Sequence, residues 1–226
     1  MDTGGKQVTG GGDRAVVVFS GGQDSTTCLF WAVNRYDEVR AVTFSYSQVH
    51  GREIECARTI AEKAGVEHET IPLEIFKHLN LSSLVQGGEP VEHSPLPDTF
   101  VPGRNILFLA YTAAAAYKAG IRDIVTGVSQ VDYSGYPDCR EETIRSLERT
   151  LVLGMDYPFR IVTPLIHLSK AETVKLARAE GCFDMLAFTH TCYRGAYPPC
   201  GECKACILRA KGFREVGEKD PLLEAL

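Results

Sequence analysis

The sequence predicts an α/β protein, a Rossmann-like, doubly wound parallel sheet of about five strands with a small C-terminal cysteine-rich region. Short β-branched apolar runs alternate with longer segments that have apolar residues at helical spacing. The first run is followed directly by two glycines and a helical pattern, which is typical of a phosphate-binding turn. Four of the eight cysteines lie within residues 192–206.

The first half of the chain alternates between strand and helix patterns. Residues 15–19 form an apolar run typical of a strand buried on both faces. After Ser25, apolar residues recur at helical spacing through Val33. Residues 39–44 and 66–71 are predicted as the second and third strands, and an amphipathic helix over residues 54–64 lies between them. Residues 80–103 show little periodicity, and a loop of that length is usually functional or mobile.

The second half continues the alternation. Its apolar run from Ile106 to Tyr117 is too short to cross a bilayer, so we expect a buried helix there. Residues 121–127 and 159–163 are predicted as the fourth and fifth strands, with an amphipathic helix through Ile144 and Leu151 between them. The segment from Ser169 to Glu172 fits a capping box. A short helix is expected over residues 204–211.

Composition limits the class of protein. The chain has 226 residues, 44% of them hydrophobic, and a net charge of −5. We expect one domain over residues 14–226 that includes a zinc-binding segment at 190–210, preceded by a glycine-rich flexible tail over residues 1–13. The acidic balance argues against a nucleic-acid partner. We find no pattern of a secretory signal or a membrane span, and therefore expect a cytoplasmic protein with no membrane partner.

The loop after the first strand reads Ser20-Gly21-Gly22-Gln23-Asp24-Ser25. It matches neither the Walker A pattern nor the dinucleotide fingerprint. It resembles the SGGxDS loop of the PP-loop ATP pyrophosphatases, a fold of the adenine nucleotide α-hydrolase type, and the resemblance implies that it binds ATP. The alternative is an ordinary turn between a strand and a helix. The residues predicted to bind ATP are Phe19, Ser20, Gly21, Gly22, Gln23, Asp24, Ser25, Thr26 and, beside the adenine, Phe44. Asp24 is expected to act through Mg²⁺.

Charged and polar residues elsewhere are candidates for catalysis and substrate binding. Arg104 begins an otherwise apolar helix, from which a guanidinium can hold phosphate or carboxylate. Lys170 lies in the first turn of a helix, where its charge is mildly unfavourable. The alternatives are a surface arginine and a solvated lysine. The predicted catalytic residues are Ser20, Asp24, Arg104 and Lys170, and the predicted substrate-binding residues are Arg104, Asn105, Asp132, Tyr136, Asp138 and Arg140. Asp138 is also expected as a helix N-cap.

Four cysteines near the C-terminus have the spacing of a metal site. Cys192, Cys200, Cys203 and Cys206 follow a C-x7-C-x2-C-x2-C pattern. In a reducing compartment such a group favours metal over disulfides, and four thiolates suit tetrahedral Zn²⁺ in a structural role. An iron–sulfur cluster and unmetallated cysteines are the alternatives.

Taken together, these stretches resemble the 7-cyano-7-deazaguanine synthase (QueC) family of queuosine biosynthesis. The matching stretches are VVVFSGGQDSTTCL, FVPGRNILFL, DYSGYPDCR, the Lys170–Glu172 segment and TCY…CGECKAC. The resemblance implies a PP-loop ATPase fold with one zinc per chain, and ATP-driven conversion of 7-carboxy-7-deazaguanine and ammonia to the nitrile. The chain has Val49 and Gln130 where an arginine and a glutamate are expected.

The chemistry fits this resemblance because a carboxylate loses oxygen to ammonia only after activation. The acid would become an adenylate, ammonia would make the amide, and a second activation would dehydrate the amide. The alternatives are another PP-loop adenylating enzyme, such as an amide synthetase or a tRNA thiolase, and a non-catalytic nucleotide sensor. The sequence does not fix the oligomeric state, for which we expect a homodimer.

Overall fold

The computed structural model describes residues 14–46, 48, 51–79, 82–85, 88, 95–131 and 136–225. The predicted tail over residues 1–13, Val49 and Asp132 lie outside the described residues. The five described strands are β1 Arg14–Val18, β2 Glu38–Ser45, β3 Glu67–Pro72, β4 Asp123–Thr126 and β5 Arg160–Val162. They form one parallel sheet in the order β3-β2-β1-β4-β5. The strand order reverses at β1, and the predicted doubly wound sheet is therefore confirmed.

Helices cover both faces of this sheet. They are α1 Gln23–Val33, α2 Arg52–Ala64, α3 Ile75–Leu79, α4 Arg104–Ala119, α5 Glu141–Met155, α6 Lys170–Ala179, α7 Lys204–Val216 and α8 Pro221–Glu224. Short 3-10 turns cover Pro137–Cys139 and Asp184–Phe188. Among the described residues, no helix combines the length and the apolar character that crossing a membrane requires.

The core has one layer on each side of the sheet. Alternate residues of β1 point to opposite faces, so Ala15 and Val17 pack with α1 and α2, whereas Val16 packs with α4 and α5. Both faces of the central strands are therefore buried, which explains why their sequences are apolar runs rather than alternating patterns.

Helix α4 differs from its prediction as a buried helix. Its inner side packs on the sheet through Phe108, Leu109 and Ala113, but its outer side leaves large apolar side chains in solvent. The exposed fractions are 40% for Ile106, 40% for Tyr111 and 52% for Tyr117. Apolar composition alone does not separate a helix buried on all sides from one with an uncovered apolar face.

Two predictions about helix ends had different outcomes. The capping box of α6 is confirmed, because the Ser169 hydroxyl accepts a hydrogen bond from the Glu172 amide and the Glu172 carboxylate accepts one from the Ser169 amide. The prediction that Asp138 caps the next helix is wrong. Asp138 lies within the 3-10 turn that precedes α5, and the N-cap of α5 is Arg140. The Asp138 carboxylate instead accepts a hydrogen bond of 3.0 Å from the backbone N–H of Asn105, in the first turn of α4.

The C-terminal region packs tightly on α6. Helix α7 is longer than predicted and runs to Val216. A Cβ at Gly212 would lie 2.8 Å from the Cβ of Lys170, so only glycine permits this approach of α7 to the start of α6. Arg209 of α7 is 4% exposed and forms a two-bond ion pair with Asp220 at 2.6 and 2.8 Å. The same guanidinium donates to the Thr189 and Thr191 hydroxyls, which ties residues 189–191 to α7.

Candidate active site

Hydrogen bonds of its two serines fix the conformation of the loop between β1 and α1. The Ser20 and Ser25 hydroxyl oxygens are 3.0 Å apart, and the Ser25 hydroxyl also accepts a hydrogen bond of 3.2 Å from the Ser20 amide. The Gly22 carbonyl accepts a bond from the Ser25 hydroxyl at 3.2 Å and one from the Thr26 amide at 3.0 Å. These bonds fix the loop as a cradle at the N-terminus of α1, where the helix dipole favours an anion.

Gly21 brings this loop against α2. Its φ of +78° is a left-handed conformation that side chains resist. A Cβ there would lie 2.5 Å from the Glu53 carbonyl oxygen and 2.6 Å from the Ala57 amide nitrogen. Gly21 is therefore required twice, once for its backbone angle and once for the direct contact between the loop and the first turns of α2.

Four buried side-chain atoms of α1 have no hydrogen-bond partner among the described residues. They are the nitrogen and the oxygen of the Gln23 side-chain amide, Oδ1 of Asp24 and the hydroxyl oxygen of Thr26. Buried polar atoms are normally paired, so a group of unpaired ones at one helix start fits a polar ligand bound there. The other Asp24 oxygen accepts a hydrogen bond of 2.5 Å from the Lys170 ammonium, which is 12% exposed.

A cavity of about 280 Å³ extends from this loop along the carboxyl end of the sheet. The Thr43 hydroxyl supports its floor by donating to the Phe19 carbonyl oxygen at 2.5 Å. Phe44, at the end of β2, stacks on Phe108 with 4.3 Å between ring centroids, and both rings line the cavity. The cavity thus has an apolar wall beside a polar cradle at a helix N-terminus, a combination that suits a nucleotide.

Arg104 lines the same cavity as the loop. Its guanidinium donates to the Tyr46 hydroxyl at 3.2 Å and lies 5.8 and 6.0 Å from the ring centroids of Tyr46 and Tyr136. The Tyr136 hydroxyl is 2.6 Å from the hydroxyl of Thr99, which fixes the second ring. An arginine held between two aromatic rings is preorganised to receive an anionic group of a ligand.

Glu53 is the second carboxylate that lines the cavity, after Asp24. Burial raises the pKa of Glu53 from its ordinary value of 4.5 to about 7, although the nearby charge of Arg104 opposes this rise. The side chain can therefore exchange a proton near neutral pH.

The four predicted metal ligands come together. The ligand atoms of Cys192, Cys200, Cys203 and Cys206 all lie within 4.8 Å of one another, and the sulfurs of Cys200 and Cys206 are 3.9 Å apart. Zn–S bonds of about 2.3 Å place sulfurs about 3.8 Å apart in a tetrahedron, so the cluster can hold a metal ion. Backbone amides of Cys203 and Glu202 lower the pKa of Cys200 to about 6, which favours the thiolate that a metal binds.

His190 connects the cysteine cluster to the loop between β1 and α1. Its amide donates to the Gly21 carbonyl oxygen at 3.1 Å, and its ring Nε2 donates to the Cys192 carbonyl oxygen at 3.2 Å. Next to it, Thr191 and Tyr193 line the cavity. The segment that supplies the first cysteine is therefore also a wall of the candidate active site.

Comparisons with known proteins show the family to which the chain belongs. The model of the family described as "Queuosine biosynthesis protein QueC" matches residues 14–217. The chain belongs to the QueC family. Similar curated proteins are the 7-cyano-7-deazaguanine synthase of Laribacter hongkongensis, 55% identical over 95% of this chain and 96% of its own length, and that of Bacillus subtilis, 48% identical over 90% and 94%.

Solved structures show the same fold as this QueC-family chain at low sequence identity. The NMN synthetase of Francisella tularensis has a TM-score of 0.55 at 14% identity and covers 95% of this chain and 82% of its own. A 4-thiouridine synthetase, solved in an RNA complex with bound ATP, has a TM-score of 0.52 at 19% identity and covers 93% and 52%. Both likenesses support the predicted PP-loop ATPase type of fold.

The QueC-family cavity brings together most of the residues predicted for the site. Those that line it are Phe19, Ser20, Gly22, Gln23, Asp24, Ser25, Phe44, Arg104, Asn105, Tyr136 and Lys170. Gly21 contacts α2, and the side chain of Thr26 is buried within α1. Asp138 reaches the site through the Asn105 amide, and Arg140 is exposed at the start of α5 outside the cavity lining. Asp132 lies outside the described residues.

Sequence reasoning missed several residues that line the cavity. They are Glu53, Cys139, His190, Thr191 and Tyr193. Tyr46 and Gln48 also line the cavity, and they belong to the polar segment after β2, whose position at a strand end predicts a place beside the adenine or, as the alternative, a plain loop. Glu53 offered no such signal, because a glutamate in the first turn of an amphipathic helix is ordinarily a solvated residue.

Proposed function

We propose that this chain is a 7-cyano-7-deazaguanine synthase, which uses ATP to convert 7-carboxy-7-deazaguanine and ammonia to the nitrile. The observation that supports this most is the PP-loop cradle opening into a single cavity that also contains Arg104 and Tyr136. A nucleotide and an aromatic acid can meet there. Relatives 48–55% identical to the chain have this name.

ATP would bind with its phosphates on the loop from Ser20 to Ser25 and its adenine beside Phe44. The unpaired amide of Gln23 and the hydroxyl of Thr26 supply buried polar groups at this end. Asp24 has one oxygen on Lys170 and one unpaired, which fits a carboxylate that also holds Mg²⁺. Lys170 would stabilise the negative charge of the departing pyrophosphate.

The acid would lie on the Arg104 side of the cavity. Arg104 would neutralise the carboxylate while it attacks the α-phosphate, and Tyr136 would pack on the heterocycle, with Asn105 at the same wall. Asp138 would act by holding the start of α4, on which Arg104 and Asn105 lie. Ammonia would displace AMP from the adenylate to give the amide. A second adenylation, of the amide oxygen, would then allow dehydration to the nitrile.

The cysteine cluster would hold one zinc ion as a structural centre. Four thiolates leave no open position for a reacting group, so the metal would order residues 189–206 rather than take part in chemistry. We further propose a cytoplasmic homodimer. The exposed apolar side of α4, with Ile106, Tyr111 and Tyr117, is the surface best suited to pair with a second copy.

The experiment is mass spectrometry of the metal-quantified protein incubated with ATP, ammonium and 7-carboxy-7-deazaguanine. We expect the nitrile and AMP to form, and the amide to appear transiently in a single-turnover experiment. Ser20→Ala and Asp24→Ala should abolish or strongly reduce turnover. ATP binding without any product would indicate a nucleotide sensor or an adenylating enzyme for another acid, and full activity in both variants would refute the assignment of the loop.

A further inference from the structure

The synthase reaction needs a proton acceptor that none of the assigned residues supplies. Ammonia enters with three N–H bonds and the nitrile nitrogen retains none, so three protons must leave nitrogen during the two stages. The acceptor must line the cavity, lie near the phosphate loop where the acyl group is activated, and be able to exist unprotonated near neutral pH.

Most titratable groups that line the cavity do not meet this requirement. Asp24 is bonded to the Lys170 ammonium, and Arg104 remains protonated. Burial raises the pKa of Tyr46 and Tyr193, and raises that of Cys139 to about 12, so all three stay protonated. The His190 ring is 1% exposed and bonded to the Cys192 carbonyl oxygen.

Glu53 meets each part of the requirement. Glu53 lines the cavity, and its carboxyl group lies within electrostatic reach of Arg104, which lines the same cavity. Its main-chain carbonyl oxygen is the atom that Gly21 approaches, so the residue lies directly beside the loop from Ser20 to Ser25. Arg104 on α4, Tyr46 after β2 and Cys56 on α2 itself are its charged and titratable neighbours among the described residues. The raised pKa of about 7 means that the carboxylate is populated at neutral pH and has appreciable proton affinity.

We propose that Glu53 is the general base of both nitrogen steps, an inference that rests on the proposed synthase function. When ammonia attacks the acyl carbon, the new C–N bond forms, the C–O bond to AMP breaks, and one proton passes from nitrogen to the Glu53 carboxylate. The amide oxygen then attacks the α-phosphate of a second ATP, pyrophosphate leaves, and Glu53 takes one proton from the nitrogen of the resulting cation. Glu53 takes the last proton as the C≡N bond forms and the C–O bond to AMP breaks. After each transfer Glu53 releases its proton to solvent, so it accepts one proton at a time.

Glu53→Gln is the test variant because it keeps the size of the side chain and removes its basicity. Glu55→Gln is the matched control, since Glu55 is exposed two residues further along the same helix. The substrate is the isolated amide with ATP, so the ionisation of ammonia does not enter the pH profile. Acid-dependent exchange of pyrophosphate into ATP reports adenylation of the acid separately, because that step removes no proton from nitrogen.

We expect Glu53→Gln to lower the kcat of amide dehydration by about 100-fold or more while pyrophosphate exchange stays within about threefold of the wild type. The rate of amide dehydration by the wild type should rise with pH to a plateau with a midpoint near 7, and the rate of the variant should not show this rise. Glu55→Gln should match the wild type in both assays. If Glu53→Gln also loses pyrophosphate exchange, the Glu53→Asp variant distinguishes a base from a structural residue. Because aspartate is also a carboxylate, a base at this position should still give a dehydration rate that rises with pH, although the rate is lower.

Three results would overturn the inference. One is dehydration by Glu53→Gln within about threefold of the wild-type rate. Another is a Glu53→Gln variant with a higher KM for the amide but the kcat and pH dependence of the wild type, which would mean that Glu53 only binds hydrogen-bond donors of the ligand. The third is a Glu53→Asp variant whose dehydration rate does not change with pH. If the wild type converts neither acid nor amide to nitrile, the proposed function itself fails, whatever Glu53 does.

Discussion

The contact between Gly21 and α2 gives the sharpest test of how the loop is positioned. In Gly21→Ala, the new Cβ would lie 2.5 Å from the Glu53 carbonyl oxygen and 2.6 Å from the Ala57 amide nitrogen, where ordinary contact begins at 3.4 Å. Both atoms belong to the backbone of a helix and cannot rotate away. The loop and α2 must therefore separate by roughly 1 Å.

Gly65→Ala is the matched control. Gly65 has a φ of +65°, similar to the +78° of Gly21, but a Cβ there meets no atom within 4 Å. Both variants pay the strain of alanine in a left-handed conformation, which is about 1–2 kcal/mol. Only Gly21→Ala adds the overlap, which overpacked sites suggest is worth about 1–3 kcal/mol more. The difference between the two variants isolates the effect of the contact.

Thermal unfolding and calorimetric titration with ATP measure the two consequences. Gly65→Ala should lower the melting temperature by several degrees and leave ATP affinity and turnover unchanged. Gly21→Ala should melt lower still and lose about 100-fold in kcat/KM, because misplacing a reacting group by 1 Å can cost about that factor. Equal melting temperatures for the two variants, together with wild-type ATP affinity in Gly21→Ala, would refute the claim that α2 positions the loop.

Four further predictions concern the elements around the loop. Removing the metal from the cysteine cluster with a chelator should weaken ATP binding about tenfold or more, measured by titration before and after re-metallation, because His190 links Cys192 to Gly21. Lys170→Met should reduce acid-dependent pyrophosphate exchange by about 100-fold or more. Ser169→Ala should lower the free energy of unfolding by about 1 kcal/mol through loss of the α6 cap, read from denaturant titration. Glu53→Gln should raise the free energy of unfolding at pH 8 by up to about 3 kcal/mol and leave it unchanged at pH 4. The reason is that ionisation of Glu53 is disfavoured in the folded state, so the wild type loses stability as pH rises from 4.5 to about 7, and the uncharged variant does not.

Much of the fold was predictable because local patterns and sheet topology agree. Each predicted strand appears in order. Every strand end is shifted by one residue except the start of β4 at Asp123, which lies two residues after the predicted start at Ile121. The SGGxDS loop could be placed from sequence because its glycines and hydroxyls must lie between a strand and a helix. The uncovered side of α4 could not be predicted, because apolar composition does not say which neighbour covers a helix face.

The site residues that could not be predicted from the sequence lie where segments far apart in the sequence meet in the fold. The cysteine spacing predicted its cluster because all four ligands lie within residues 192–206. Glu53 gave no local signal, since its place in the site depends on the cavity that α2, α4 and the C-terminal region line together. Arg140, whose position in a polar loop predicts a ligand contact, is exposed and does not line the cavity, so its role in substrate binding stays a prediction.

The C-terminal region acts on the site from two sides at once. Through His190 it holds the carbonyl of Gly21, and through Gly212 it packs on Lys170, the lysine bonded to Asp24 of the same loop. The buried pair of Arg209 and Asp220 fixes both connections, since Arg209 also bonds Thr189 and Thr191 on either side of His190. A metal bound to the four cysteines would therefore stabilise the geometry of the phosphate site without contacting a ligand. This explains how a structural centre can be a condition for catalysis.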